Sequence, residues 1–140
     1  MTPPTDKRIG VAGCGAMGLP MAENLARAGF DVRGFDVRPV GEFGPFTDHM
    51  MTDAGDFAAS CATVISVVRD IAETEALLFE DQAILMGDAR PDILVLSSTL
   101  SPRYVRDVAA RVPTGVTVLD APMSGAPYRA REGTLTFMLG

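Results

Sequence analysis

The stretch Val11-Ala-Gly-Cys-Gly-Ala-Met-Gly18 limits what this chain can fold into more than any other. An apolar run, Ile9 to Ala12, leads into glycines at positions 13, 15 and 18, and the segment behind them, rich in Ala and Met, has helical character. That is a strand, a tight turn and a helix start. A turn of this build leaves the first N–H groups of the helix unpaired, where the helix dipole also favours negative charge, so it suits a pyrophosphate. Gly13 permits the turn, Gly15 lets the backbone approach the phosphates, and Gly18 lets helix pack on strand. G-x-G-x-x-G alone is a weak signal, but here the elements on both sides supply the required context.

The rest of the chain alternates strand and helix. Met17, Met21 and Leu25 share one helical face within Met17 to Ala28, with Pro20 in the first turn and Gly29 as the C-terminal cap. Asp31 to Asp36 reads as the second strand, making a parallel β-α-β unit with a right-handed crossover. Val37 to Thr52 has two prolines, two glycines and little periodicity, which predicts a loop with a short third strand near Met50 and Met51. Asp53 or Asp56 caps a short helix through Ala59, and the β-branched run Thr63 to Val68 suits a buried parallel strand. Asp70 to Glu73 has capping-box spacing at the head of another helix. Ile93 to Leu96 is a further strand, and Ser101-Pro102 supplies an N-cap with proline at the first helical position. Val105, Val108, Ala109 and Val112 then mark an apolar face, Val116 to Leu119 makes a strand, and Leu135 to Leu139 alternates as a last one.

This alternation predicts an α/β fold: a doubly wound, mostly parallel sheet of order 3-2-1-4-5-6 with helices on both faces. Ligands then bind outside the carboxyl ends of the strands. The turns there are Gly13 to Gly18, Asp36 to Pro39, Val68 to Asp70, Ser97 to Pro102 and Ala121 to Ala126, and all are expected to face one crevice.

Asp36 lies 21 residues after Gly15, the separation expected of an acid that holds the ribose of an adenosine. A carboxylate there repels a 2′-phosphate, so NAD is favoured over NADP. Arg38 opposes that reading, since a guanidinium can grip a 2′-phosphate; its alternative is a solvated loop arginine.

Composition narrows the classes. With 12 basic and 18 acidic residues the formal charge is −6, which disfavours binding by counterion release from nucleic acid. No run is long enough for a membrane span and Met1 to Asp6 has no apolar core, so a cytoplasmic protein is expected. The two cysteines, Cys14 and Cys61, are too few for a disulfide framework, and no metal site is expected; Cys14 reads as a small apolar filler. Lys7 is the only lysine and His49 the only histidine, so proton-transfer residues are scarce.

The segment from Gly13 to Leu25 resembles the signature of the β-hydroxyacid dehydrogenase family, which is 3-hydroxyisobutyrate dehydrogenase-like. Ser97-Ser-Thr-Leu-Ser-Pro102 and Leu119-Asp-Ala-Pro-Met-Ser-Gly-Ala126, with Glu132-Gly-Thr-Leu-Thr136, support it. The resemblance implies a Rossmann-type domain over 1–140, truncated near its end, with an all-α substrate and dimerisation domain absent. It implies an NAD(P)-dependent hydride transfer between nicotinamide and a small β-hydroxy acid or semialdehyde. Ala16 and Met17 would donate N–H groups to the pyrophosphate and Asp36 would hold the ribose. Val68 and Arg69 would line the adenosine side, and Thr99 would lie near the nicotinamide. Ser124 and Gly125 would bind a small carboxylate substrate, and Ala126 stands where the family usually has a second glycine.

The family's proton donor is a lysine on a helix beyond the cofactor domain, so it is expected past Gly140, and no catalytic residue is assigned within the chain. Lys7 precedes the first strand and would lie at the opposite edge of the sheet; His49, Tyr104 and Tyr128 remain unassigned. The 140-residue chain is therefore expected to bind NAD and to be inactive, with homo-oligomers formed through the other domain. Two alternatives stay open: an imine reductase-like enzyme on the same scaffold, and a non-catalytic NAD-binding module. The apolar stretch Thr136 to Leu139 is expected to leave an edge prone to association.

Overall fold

A computed structural model describes residues 8–140; Lys7 lies outside the described residues. Six parallel strands form one sheet in the order β3-β2-β1-β4-β5-β6. They are β1 (Ile9–Ala12), β2 (Val32–Phe35), β3 (Met50–Met51), β4 (Thr63–Ser66), β5 (Ile93–Leu96) and β6 (Thr117–Asp120). β1 pairs with β2 and β4 on its two sides, Val11 standing between Gly34 and Ile65.

Successive side chains of a strand point to opposite faces, so β1 feeds two cores. Ala12 belongs to a cluster with Phe57 and Ala58 of α2 (Ala54–Ser60), Leu77 and Leu78 of α3 (Ile71–Leu78) and Val108 of α4 (Pro102–Arg111). Val11 belongs to the other, with Ala22 of α1 (Gly18–Arg27) and with Phe43 and Phe46. Helices thus cover both faces, and the expected order and winding are those observed.

The helix starts follow their capping residues. Asp53 accepts the Asp56 N–H at 2.8 Å, Asp70 accepts the Glu73 N–H at 2.9 Å, and the Ser101 hydroxyl accepts the Tyr104 N–H at 3.1 Å. Of the two acids proposed as cap for α2, Asp53 is the one used.

Three segments differ from expectation. The predicted loop after β2 contains two 3₁₀ turns within Val40–His49, separated by Gly44 at φ 54° and ψ −132°. Phe43 and Phe46 stand on either side of that break, and both are buried in the core around Val11. β4 ends at Ser66 rather than Val68, because the chain leaves the sheet there. The last strand, β8 (Thr136–Phe137), does not join the main sheet. It pairs antiparallel with β7 (Met123–Ser124), and α5 (Pro127–Glu132) links the two. The Asn24 carboxamide of α1 donates to the carbonyls of Ala130 and Arg131 and ties this unit to α1.

Candidate functional site

A cleft of about 520 Å³ opens at the carboxyl ends of β1, β2 and β4. Gly13 and Gly15 come from the first of these ends, Asp36 and Arg38 from the second, and Val68 and Arg69 from the third. Six of the residues singled out in the sequence therefore share one hollow. Ala16, Met17 and Gly18 continue from it into α1.

The glycine loop has the geometry its motif requires. Gly13 adopts φ +96°, and a Cβ there would meet the Val67 carbonyl oxygen at 2.7 Å; a Cβ on Gly18 would meet the Gly13 oxygen at 1.7 Å. Both positions are glycine because backbone passes too close for anything else. Gly15 is different: a Cβ there would meet nothing within 4 Å, so no packing within the chain demands it. The N–H groups of Gly15, Ala16, Met17 and Gly18 also donate to no described residue, whereas those of Gly13 and Cys14 are taken by the Phe35 carbonyl and by Asp36. An open outer face with unspent donors fits a pyrophosphate.

Asp36 sits at the end of β2 with its side chain 11% exposed. One carboxylate oxygen accepts the Cys14 N–H at 2.8 Å, and the other accepts the Arg38 N–H at 3.0 Å and Nε at 3.2 Å. Arg38 Nη2 reaches the Cys14 carbonyl at 2.8 Å, and its guanidinium lies 4.9 Å from the Phe43 ring centre. Arg38 is thus no free loop arginine: it joins β2 to the glycine loop. Burial on its own raises the Asp36 carboxyl, but the hydrogen bonds from the Arg38 side chain and backbone and from Cys14 outweigh it, and the group is held below its ordinary value.

Cys14 is buried, with its thiol directed to the carbonyls of Val11 and Phe35. Burial first, and then the charge of Asp36, push that thiol up to about 12, which leaves it protonated and a packing residue.

The third side of the cleft carries a variation on the capping box. Glu73 accepts the N–H of Arg69 at 2.9 Å rather than that of the cap residue Asp70, and the Arg69 side chain folds onto the same carboxylate at 2.6 to 2.9 Å. The Arg69 side-chain bond, followed by its backbone N–H, holds Glu73 below its ordinary value. Arg69 itself is 86% exposed at the rim.

Only three of the five expected turns build this cleft. β5 and β6 lie beyond β4 in the sheet, so Thr99, Ser124, Gly125 and Ala126 are not among its lining residues. The Ser98 hydroxyl, which donates to the Val68 carbonyl, links the turn after β5 to the cleft wall. Ser124, Gly125 and Ala126 are exposed at the β7–α5 junction, and Thr99 is exposed after β5. Conversely, the cleft includes Val37, Glu73, Ala76, Leu77, Asp81 and Gln82, none of which was a candidate site residue. For Glu73 the capping-box spacing was a signal; for Asp81 and Gln82 the sequence held none.

A parallel sheet with a glycine turn at its first strand and a bonded acid at its second defines a dinucleotide-binding α/β domain. Residues 8–140 match the family described as the NAD binding domain of 6-phosphogluconate dehydrogenase, and the chain belongs to that family. The 3-hydroxyisobutyrate dehydrogenase of Pseudomonas aeruginosa is 37% identical over 137 residues, covering 94% of this chain and 45% of that protein. Mycobacterium tuberculosis 3-hydroxyisobutyrate dehydrogenase with L-serine superposes with a TM-score of 0.80 at 32% identity, over 96% of this chain and 46% of that one. An imine reductase from Myxococcus stipitatus in complex with NADP+ gives a TM-score of 0.74 at 20% identity, over 87% of this chain and 43% of that one, and shares the fold alone. The chain spans less than half the length of the relatives it matches. Among the described residues no helix is long and apolar enough to cross a membrane.

Proposed function

We propose that this chain is the cofactor-binding part of an NAD-dependent oxidoreductase that moves a hydride between nicotinamide and a small β-hydroxy acid or semialdehyde. The observation that carries the reading is the meeting of the unspent glycine-loop donors and Asp36 in one cleft. The cofactor, when bound, supplies the hydride acceptor or donor; the residues of this chain bind and orient it. Gly15, Ala16, Met17 and Gly18 offer N–H groups to the pyrophosphate, and Asp36 takes the ribose hydroxyls in exchange for the side-chain bonds that Arg38 makes to it. Val68 and Arg69 border the adenosine. Thr99, outside the cleft, serves the nicotinamide end, and Ser124, Gly125 and Ala126 serve a small carboxylate substrate.

NAD is the preferred cofactor because Asp36, turned to the ribose, sets its negative charge where NADP would bring a phosphate. The cleft residues include no lysine and no histidine to give a proton to a substrate carbonyl. The chain alone therefore binds cofactor without turnover, and the homo-oligomer, the proton-donating lysine and the substrate selectivity reside in residues outside it. Calorimetric titration is expected to give a Kd for NAD at least tenfold below that for NADP, about 1.4 kcal/mol. Tighter binding of NADP would overturn the cofactor assignment, and oxidation of a 3-hydroxy acid by the 140-residue chain at rates on the order of 1 per second or more would overturn the division of labour.

A further inference from the structure

Gln82 lines both the main cleft and the smaller hollow beside it, and neither the glycine motif nor the strand-end acid accounts for it. Its backbone is firmly held. The Gln82 N–H donates to the Ala76 carbonyl at 2.9 Å, and those of Ile84 and Leu85 donate to Leu77 and Leu78 at 3.0 and 3.2 Å, so the returning chain satisfies the last carbonyls of α3. The side chains of Ile84 and Leu85 are buried in the core. Between anchor and cleft stands Ala83 at φ +50°, the only non-glycine residue with positive φ among the described residues. A conformation disfavoured for an L-residue is kept where the surroundings over-determine it, and such positions gather at ligand sites.

The Gln82 side chain is half-buried at the cleft wall, and its carboxamide makes no hydrogen bond to a described residue. The cleft that it lines offers aliphatic surface from Val68, Ala76 and Leu77 at the β4 end and α3 and from Val37 at the β2 end, with the carboxylates of Glu73 and Asp81 also on its walls. Aliphatic surface and an unspent carboxamide in one cleft match a planar base, which packs its faces against aliphatic groups and presents donors and acceptors only at its edge. A carboxamide offers an acceptor and a donor side by side, the complement of the amino group and N7 of adenine.

We propose that Gln82 is the specificity-determining residue for the adenine ring of the cofactor, pairing with the amino group and N7 from a backbone fixed by α3 and the Ala83 turn. The proposal rests on the dinucleotide reading above. It is tested by titrating the 140-residue chain with NAD and with its hypoxanthine analogue, in which an oxo group replaces the adenine amino group. Wild type is expected to bind NAD about tenfold more tightly than the analogue. Gln82→Leu is expected to bring NAD down to the level of the analogue. Gln82→Glu, close to isosteric and still an acceptor for the amino group, is expected to retain the preference for NAD, and it keeps the test open should the leucine variant fail to fold. Equal binding of the two ligands by wild type, an unchanged preference in Gln82→Leu, or loss of preference in Gln82→Glu overturns the assignment. Failure of the parent reading is distinguishable, since the wild-type chain would then bind neither ligand.

Discussion

Asp36 and Arg38 set the electrostatics of the cleft. The carboxylate of Asp36 spans two elements because it accepts from Cys14 as well as from Arg38. Its folded-state pKa lies below the ordinary 3.8, so its contribution to stability is complete above that value and is lost as the pH falls through the folded-state value. Asp36→Asn is therefore expected to flatten the acid limb of stability against pH below about pH 4 and to weaken NAD binding about tenfold. Urea midpoints measured at several pH values check the first expectation; an unchanged acid limb would show that the Asp36 bonds contribute nothing there. The place of Asp36 was legible in its distance from Gly15. The partnership with Arg38 was not, because it depends on where the Cys14 carbonyl points once the loop has closed.

At the scale of elements, the contact of α1 with the end of β1 is the most demanding feature. A methyl group at position 18 gains up to about 1 kcal/mol of helix propensity, yet it must displace a backbone oxygen 1.7 Å away. Overpacking against backbone costs about 3 kcal/mol, so the clash wins. Gly18→Ala is expected to lower stability by about 2 kcal/mol net and to abolish detectable NAD binding, as chemical denaturation and calorimetry would show. A more stable variant would mean that the helix start moves freely. The main helices could be read beforehand because Asp53, Asp70 and Ser101 act locally, within one turn. The 3₁₀ turns and α5 escaped notice because their stability comes from distant partners: the core around Val11 for Phe43 and Phe46, and Asn24 on α1 for the end of α5.

For the molecule as a whole, the sheet is well covered around β1 and less so toward β6. Ile93 and Leu119 lie partly open, and Phe137, Met138 and Leu139 are exposed, the last by 79%. These side chains leave apolar area in water, and light scattering is expected to show association that grows with concentration. Met138→Lys with Leu139→Lys is expected to reduce it; a monodisperse unaltered chain would contradict the expectation. The amino-acid sequence by itself determined the α/β class, the strand order, the glycine turn after β1 and the acid at the end of β2, because periodicity, caps and short spacings are properties of neighbours along the chain. Only the tertiary structure decided which strand ends share a cleft, that Arg38 is spent on Asp36, and that Gln82 lines that cleft. Those depend on the packing of residues far apart in sequence, and local rules carry no information about them.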